Sequence, residues 1–389
     1  MTTVKLFTVS ALCALQLQGT NTPPWAEDAV SAFYAEYLAA QKSERISESS
    51  PEERRVFYEA WLGKSEEVAR ENPESPWLYT HRDARLELYN VLGRFSESVS
   101  FVEAQLARMK QQAGSLPGEY YHDRHHAGLL GQVGSLARDA WLVTRDDSYA
   151  RKSVESFRAA HRLFARHNDV IGMINATMGE GYMQQASGNH GEAASLYVRA
   201  YELLSQVPDN QKQYMDSFHL GLGANSEQLL SEAALEYAKA QDAEKSLEIF
   251  KLLEQIPARN LSRAVYLQSA LQQLGYNACV VLCPYIETWI EQHPNDEHAP
   301  PLVHDLAFNF SRAGRDFDDS GLSEAGRINS EKAIKWFERF LEYGEAPGSS
   351  KFPVSVVQEV YREMANLNER IGESDRAAAL REKLEKRKQ

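Results

Sequence analysis

Apolar residues recur at steps of three and four along nearly the whole of this sequence, and no stretch of five or more residues alternates with a period of two in strand-forming composition. That periodicity restricts the chain to an all-α fold. Proline and glycine cut the pattern into short helices. Two opening helices are expected over 25–41 and 51–71, the second begun by Ser50, Pro51, Glu52 and Glu53 and closed by Asn72 and Pro73. Pairs follow at 77–92 with 95–112, 119–143 with 148–167, and across 169–206. Further pairs are expected at 211–240 with 242–256, 259–274 with 276–292, 299–314 with 324–344, and 352–371 with 374–388. A short antiparallel pair cannot bury its apolar face alone, so these seven hairpins must stack.

The most specific pattern lies in 169–206. Gly181 sits in the first helix, Gly188 and Asn189 make the turn, and Ala193, Tyr197 and Ala200 follow on one face of the second helix, with Pro208 beyond its end. Small residues at both ends of such a face let two backbones approach, and the tyrosine between them fills a groove of the neighbouring helix. This stretch resembles the tetratricopeptide repeat family. The likeness is close over 177–208 and loose over 77–388. Looser copies are Ser153, Phe157 and Ala160; Ser246, Phe250 and Leu253 before Pro257; Ala333, Phe337 and Phe340; and Ala377, Arg381 and Leu384 after Gly372. Their small-residue anchors are 40 to 87 residues apart, not the 34 that the family keeps.

The resemblance implies a right-handed superhelix of about seven hairpins, whose concave face, lined by first helices, holds a protein or peptide partner. Many members grip a partner's terminal carboxylate with a lysine, arginine and asparagine set. The equivalent turn here offers Met178, Gly179 and Tyr182. A closed barrel of helix pairs, as in some sugar-processing enzymes, is the rival packing. The expected division is 1–22 as a signal peptide, 23–76 as opening helices packed on the solenoid, and 77–389 as the repeat domain.

A formal charge of −13 opposes the counterion release that drives nucleic-acid binding, so no nucleic-acid partner is expected. Lys5 precedes an apolar run over 6–17, broken by Gly19 and the prolines at 23 and 24, which has the form of an export signal. That points to an exported or periplasmic protein; a first apolar helix of a cytoplasmic one is the alternative. The run is too short for a permanent membrane span. Three cysteines make no disulfide framework, and Cys279 and Cys283 are expected to share one helical face as small apolar residues.

Three groups of side chains stand out beyond the repeat. His122 and His126 are one helical turn apart, the spacing with which two imidazoles grip a divalent metal, and Asp123 stands where zinc proteases carry glutamate. Asp316, Asp318, Ser320, Gly321 and Glu324 space their oxygens as a calcium loop does, although Arg327 occupies the twelfth position, where a carboxylate is needed. Arg151, Arg158 and Arg162, with His161 nearby, form a cationic row, and with Tyr182 they are candidates for partner binding. Trp141, Trp289 and Trp336 read as packing knobs. No phosphate-cradling glycine loop or nucleophile elbow is present. The expectation is a non-catalytic scaffold with no cofactor, the alternative an all-α metal-dependent enzyme or ligand-binding protein built on His122 and His126.

Overall fold

The computed structural model describes residues 28–43, 46, 49–75, 77–80, 83–111, 119–208, 226–256, 263–345 and 352–386. Among them the chain is all-α, with no strand. It divides into two compact units, Met1–Gly188 with Arg199–Ala224 and Asn189–Val198 with Asn225–Gln389. The apolar run over 6–17, the export signal and Cys13 lie outside the described residues.

The first unit opens with α1 (Ala29–Ser43) and α2 (Pro51–Glu71). Ser50 and Glu53 close a reciprocal capping box at the start of α2, as the sequence signals. Tyr37 and Trp61 meet at 5.7 Å between ring centroids and bury the seam between the two helices. The next helix is shorter than its apolar pattern implies: α3 covers only Arg85–Val91. The buried Asp83 carboxylate accepts the Tyr79 amide at 2.9 Å and the Arg85 Nε at 2.9 Å, and this local bonding holds 77–80 in turns instead of helix.

Next come α4 (Phe95–Gln111), α5 (Glu119–Thr144), α6 (Asp147–Arg166) and α7 (Val170–Ala186). Val99, Val102 and Leu106 of α4 pack on Leu129, Val133 and Leu136 of α5. The α6 anchors predicted from sequence are buried, and Ser153 Oγ donates to the Gly134 carbonyl of α5 at 2.7 Å. Above it, the Phe157 ring lies over Gly134 of α5 and Gly179 of α7, where added Cβ atoms would come within 2.9 and 2.2 Å of it. α5 packs on α6 and α7, and α6 on α7.

α8 (His190–Ser205) is divided between the units. Ala193, Tyr197 and Ala200 are buried, as is Gly181 on α7. The second unit continues with α9 (Ser226–Lys239), α10 (Ala243–Glu254), α11 (Arg263–Leu274), α12 (Tyr276–Val281), α13 (Cys283–Gln292), α14 (Ala299–Asp319), α15 (Ser323–Glu345), α16 (Val354–Arg370) and α17 (Ser374–Lys386). Ser246 repeats the role of Ser153, donating to the Ala234 carbonyl at 2.9 Å, with Phe250 and Leu253 buried beside it. The helix expected over 276–292 breaks at Leu282, where Pro284 opens α13, so Cys279 and Cys283 stand in different helices. Between α14 and α15 the tight crossing is at Gly314 and Gly326: a Cβ on Gly326 would stand 2.9 Å from the Gly314 carbonyl oxygen. Ala333, the anchor expected there, is buried one stage further along α15.

In the second unit first helices pack on first helices, α9 on α11 and α11 on α14, and α10 packs on α12, as in stacked hairpins. The turns share one device. Gly93, Gly188, Gly321 and Gly372 take φ from +70° to +87°, while Arg145, Asn168 and Gln241 adopt the same left-handed conformation without glycine. Bonds from Arg94 to Tyr89, Asp169 to Phe164, Asp242 to Tyr237, Leu322 to Phe317 and Glu373 to Asn368, amide to carbonyl, are the long bonds of Schellman caps.

Candidate functional site

Near the start of α5, Asp123 is buried and its carboxylate accepts His167 Nε2 at 3.0 Å, with Arg166 at 3.7 Å. The His167 hydrogen bond holds this carboxyl below the usual carboxylate range, against the opposing effect of burial. It ties the start of α5 to the end of α6. Arg124 reaches Asp169, the N-cap of α7, at 3.3 Å. These acidic groups are therefore engaged in fastening helices. The His122 and His126 rings stand 6.1 Å apart, edge to face, and burial, then the Lys110 charge, push His126 below the usual histidine value. Among the described residues no third histidine, cysteine or carboxylate completes a metal-holding group with them.

The calcium-loop reading is corrected by the helix boundaries. Asp316 and Asp318 lie in the last turn of α14, Ser320 caps it, and Glu324 is in the first turn of α15, so only 320–322 is non-helical. Asp318 is ion-paired with Arg370 of α16, and Glu324 with Arg327 at 3.6 Å. A helix directs side chains outward at 100° steps and cannot converge these oxygens on one ion.

The cationic row is split. Arg158 Nε bonds the buried Glu180 of α7 at 2.7 Å, while Arg151 and Arg162 are exposed. Tyr182 is half-buried on α7. Trp141, Trp289 and Trp336 are buried, and Trp336 Nε1 donates to Glu287 at 2.8 Å.

The sequence did not disclose a polar row on three first helices of the second unit. On α11, Gln268 and Gln272 lie one turn apart, and both amides donate to Asp305 Oδ2 of α14, at 2.8 and 2.6 Å. His304 Nδ1 stands 3.1 Å from the other carboxylate oxygen. Burial works against the Asp305 charge, but the hydrogen bonds from His304, Gln268 and Gln272 prevail and keep it below the usual carboxylate range. Half-buried Tyr266 continues the row on α11: burial, then the charges of Glu232 and Glu227 on α9, raise its hydroxyl above the ordinary tyrosine value. The two glutamines were visible as an i, i+4 pair, but their partner is more than 30 residues away.

No family model matches the chain, and no curated protein matches it. Among solved structures, BtubC (BKLC) from P. vanneervenii is 12% identical, with a TM-score of 0.28 over 76% of this chain and 91% of that one. A circular tandem repeat protein with novel repeat topology and enhanced subunit contact surfaces is 14% identical, with a TM-score of 0.28 over 93% of this chain and 89% of that one. Superpositions at that level leave the fold to be read from the chain's own helices. No helix among the described residues is long and apolar enough to cross a membrane.

Proposed function

We propose that this chain is a non-catalytic helical-repeat protein of tetratricopeptide type that binds a protein or peptide segment along the first helices of its second unit. The observation that carries the reading is the polar group of Gln268, Gln272 and Asp305 on α11 and α14, fixed by hydrogen bonds from one helix to the other, with Tyr266 half-buried on α11. Side chains already held in place lose little freedom on binding, which is what favours recognition of an extended segment. Amides and a phenol supply both donors and acceptors for a peptide backbone. The opening charged and apolar stretch supports export, and sequencing the mature N-terminus tests it.

The direct test is affinity capture of the full chain from its native host, alongside a Tyr266→Ala/Gln272→Ala variant. Gln272 is exposed and Tyr266 half-buried, so the variant keeps its helical circular dichroism. A stoichiometric protein captured by the wild type and lost from the variant is the expected result. Equal capture by both chains, or no protein partner, contradicts the reading.

A further inference from the structure

Asp305 is a shielded carboxylate without a matching cation. Burial opposes its charge, but the hydrogen bonds from His304, Gln268 and Gln272 prevail, so the group is ionised at neutral pH. Its side chain is 19% exposed, and among the described residues its ion-pairing neighbour is the His304 ring at 3.1 Å; no lysine or arginine reaches it. Asp83, Glu180, Glu236 and Glu287 are at least as shielded, and each has an arginine or lysine at 3.0 Å or closer. A carboxylate taken this far out of water without a cation is one that an incoming cation can stabilise.

Two amides carry the effect of that charge outward. Gln272 is exposed and Gln268 half-buried, one turn apart on α11, and both donate to Asp305 Oδ2, at 2.6 and 2.8 Å. A carboxylate only accepts, so each amide turns its NH2 to Asp305 and its Oε1 away from it. Neither Oε1 has a hydrogen-bond partner among the described residues. Donation to an anion polarises an amide and makes its oxygen a stronger acceptor. A cation seated on these oxygens takes their hydrogen bonds and also offsets the Asp305 charge behind them, which a neutral donor does not. A guanidinium suits paired acceptors best, because its N–H groups lie in one rigid plane. The net charge of −13 draws a basic partner toward the chain. We infer that Gln268 and Gln272, backed by Asp305, hold an arginine side chain of the partner segment. This rests on the protein-binding reading above and names the chemistry of that partner.

The test is fluorescence anisotropy of two labelled glycine-serine peptides titrated with the full chain at low salt. One carries three arginines; the other carries citrulline, the uncharged isostere, in their place. Wild type is compared with Asp305→Asn, with Gln272→Ala, and with Glu244→Gln, a charge-matched control at an exposed position of α10. Circular dichroism checks that all are helical, and Gln272→Ala, at an exposed position, keeps the test decisive if Asp305→Asn does not fold. The expected result is saturable binding of the arginine peptide by wild type and control, weakened by salt. Affinity falls about fivefold or more for the citrulline peptide, and for the arginine peptide in Asp305→Asn and Gln272→Ala. Arginine and citrulline peptides bound alike, wild type and site variants binding alike, or no wild-type binding each overturn the inference. Failure of the protein-binding reading is separate. If a host protein is captured by wild type and lost from Tyr266→Ala/Gln272→Ala while both peptides bind alike, the binding face stands and its arginine partner is overturned.

Discussion

Phe157 fills a notch made by glycines on two helices, so one aromatic ring sets the approach of α5, α6 and α7 together. Asp123 performs the polar counterpart, holding His167 from the other end of the α5 and α6 pair. Asp123→Asn is expected to cost about 1.5 to 3 kcal/mol at neutral pH, since it removes the charge from a largely buried hydrogen bond. The folded-state pKa is depressed, so this stabilisation is present above the unfolded carboxylate value and is lost as pH falls through the folded one. Thermal melts of wild type and variant should therefore converge as pH is lowered from about 7 to about 3. A gap that stays constant over that range would show that the charge is not the source. The sequence disclosed Phe157 and Ser153 as a buried face, because their spacing is helical. It did not disclose Gly134 or Gly179 as the seat of the ring, because a glycine inside a helix bears no mark of what lies across from it.

Helix ends show the same division. Turns at Gly188 and Gly372 were legible, since glycine readily takes positive φ. Asn168 and Gln241 adopt that conformation under the demand of the Schellman cap, and residue type alone does not announce it. Gly372 isolates the effect: a Cβ there meets nothing within 4 Å, so Gly372→Ala changes only backbone strain. It should destabilise the α16 and α17 hairpin by about 1 to 2 kcal/mol, seen as faster amide exchange over 374–386. Unchanged exchange in that helix would contradict the cap assignment. Element boundaries failed where side chains override periodicity, as Asp83 does before α3. They failed again where Pro284 restarts a helix. They also failed over 316–319, whose acidic residues continue α14 although they resemble a loop.

Across the molecule, repeated pairing was the part most open to reading from sequence, because period and breakers together dictate all-α hairpins that must stack. The polar row was not, since its hydrogen bonds join Gln268 and Gln272 to Asp305, and each crosses between helices. Histidines spaced for metal and acids spaced for calcium were conspicuous in sequence, yet the Asp123 carboxylate beside the histidines is turned to Arg166 and His167, and that of Asp318 to Arg370. Specific recognition depends on a few side chains converging from separate helices, which one-dimensional spacing does not encode. The decisive measurement is amide hydrogen exchange of the full chain, alone and bound to the protein it captures from its host. The account predicts slowed exchange concentrated in the first helices α9, α11 and α14, greatest over 263–274. Slowed exchange in the second helices α10 and α15, with α11 unchanged, would contradict it.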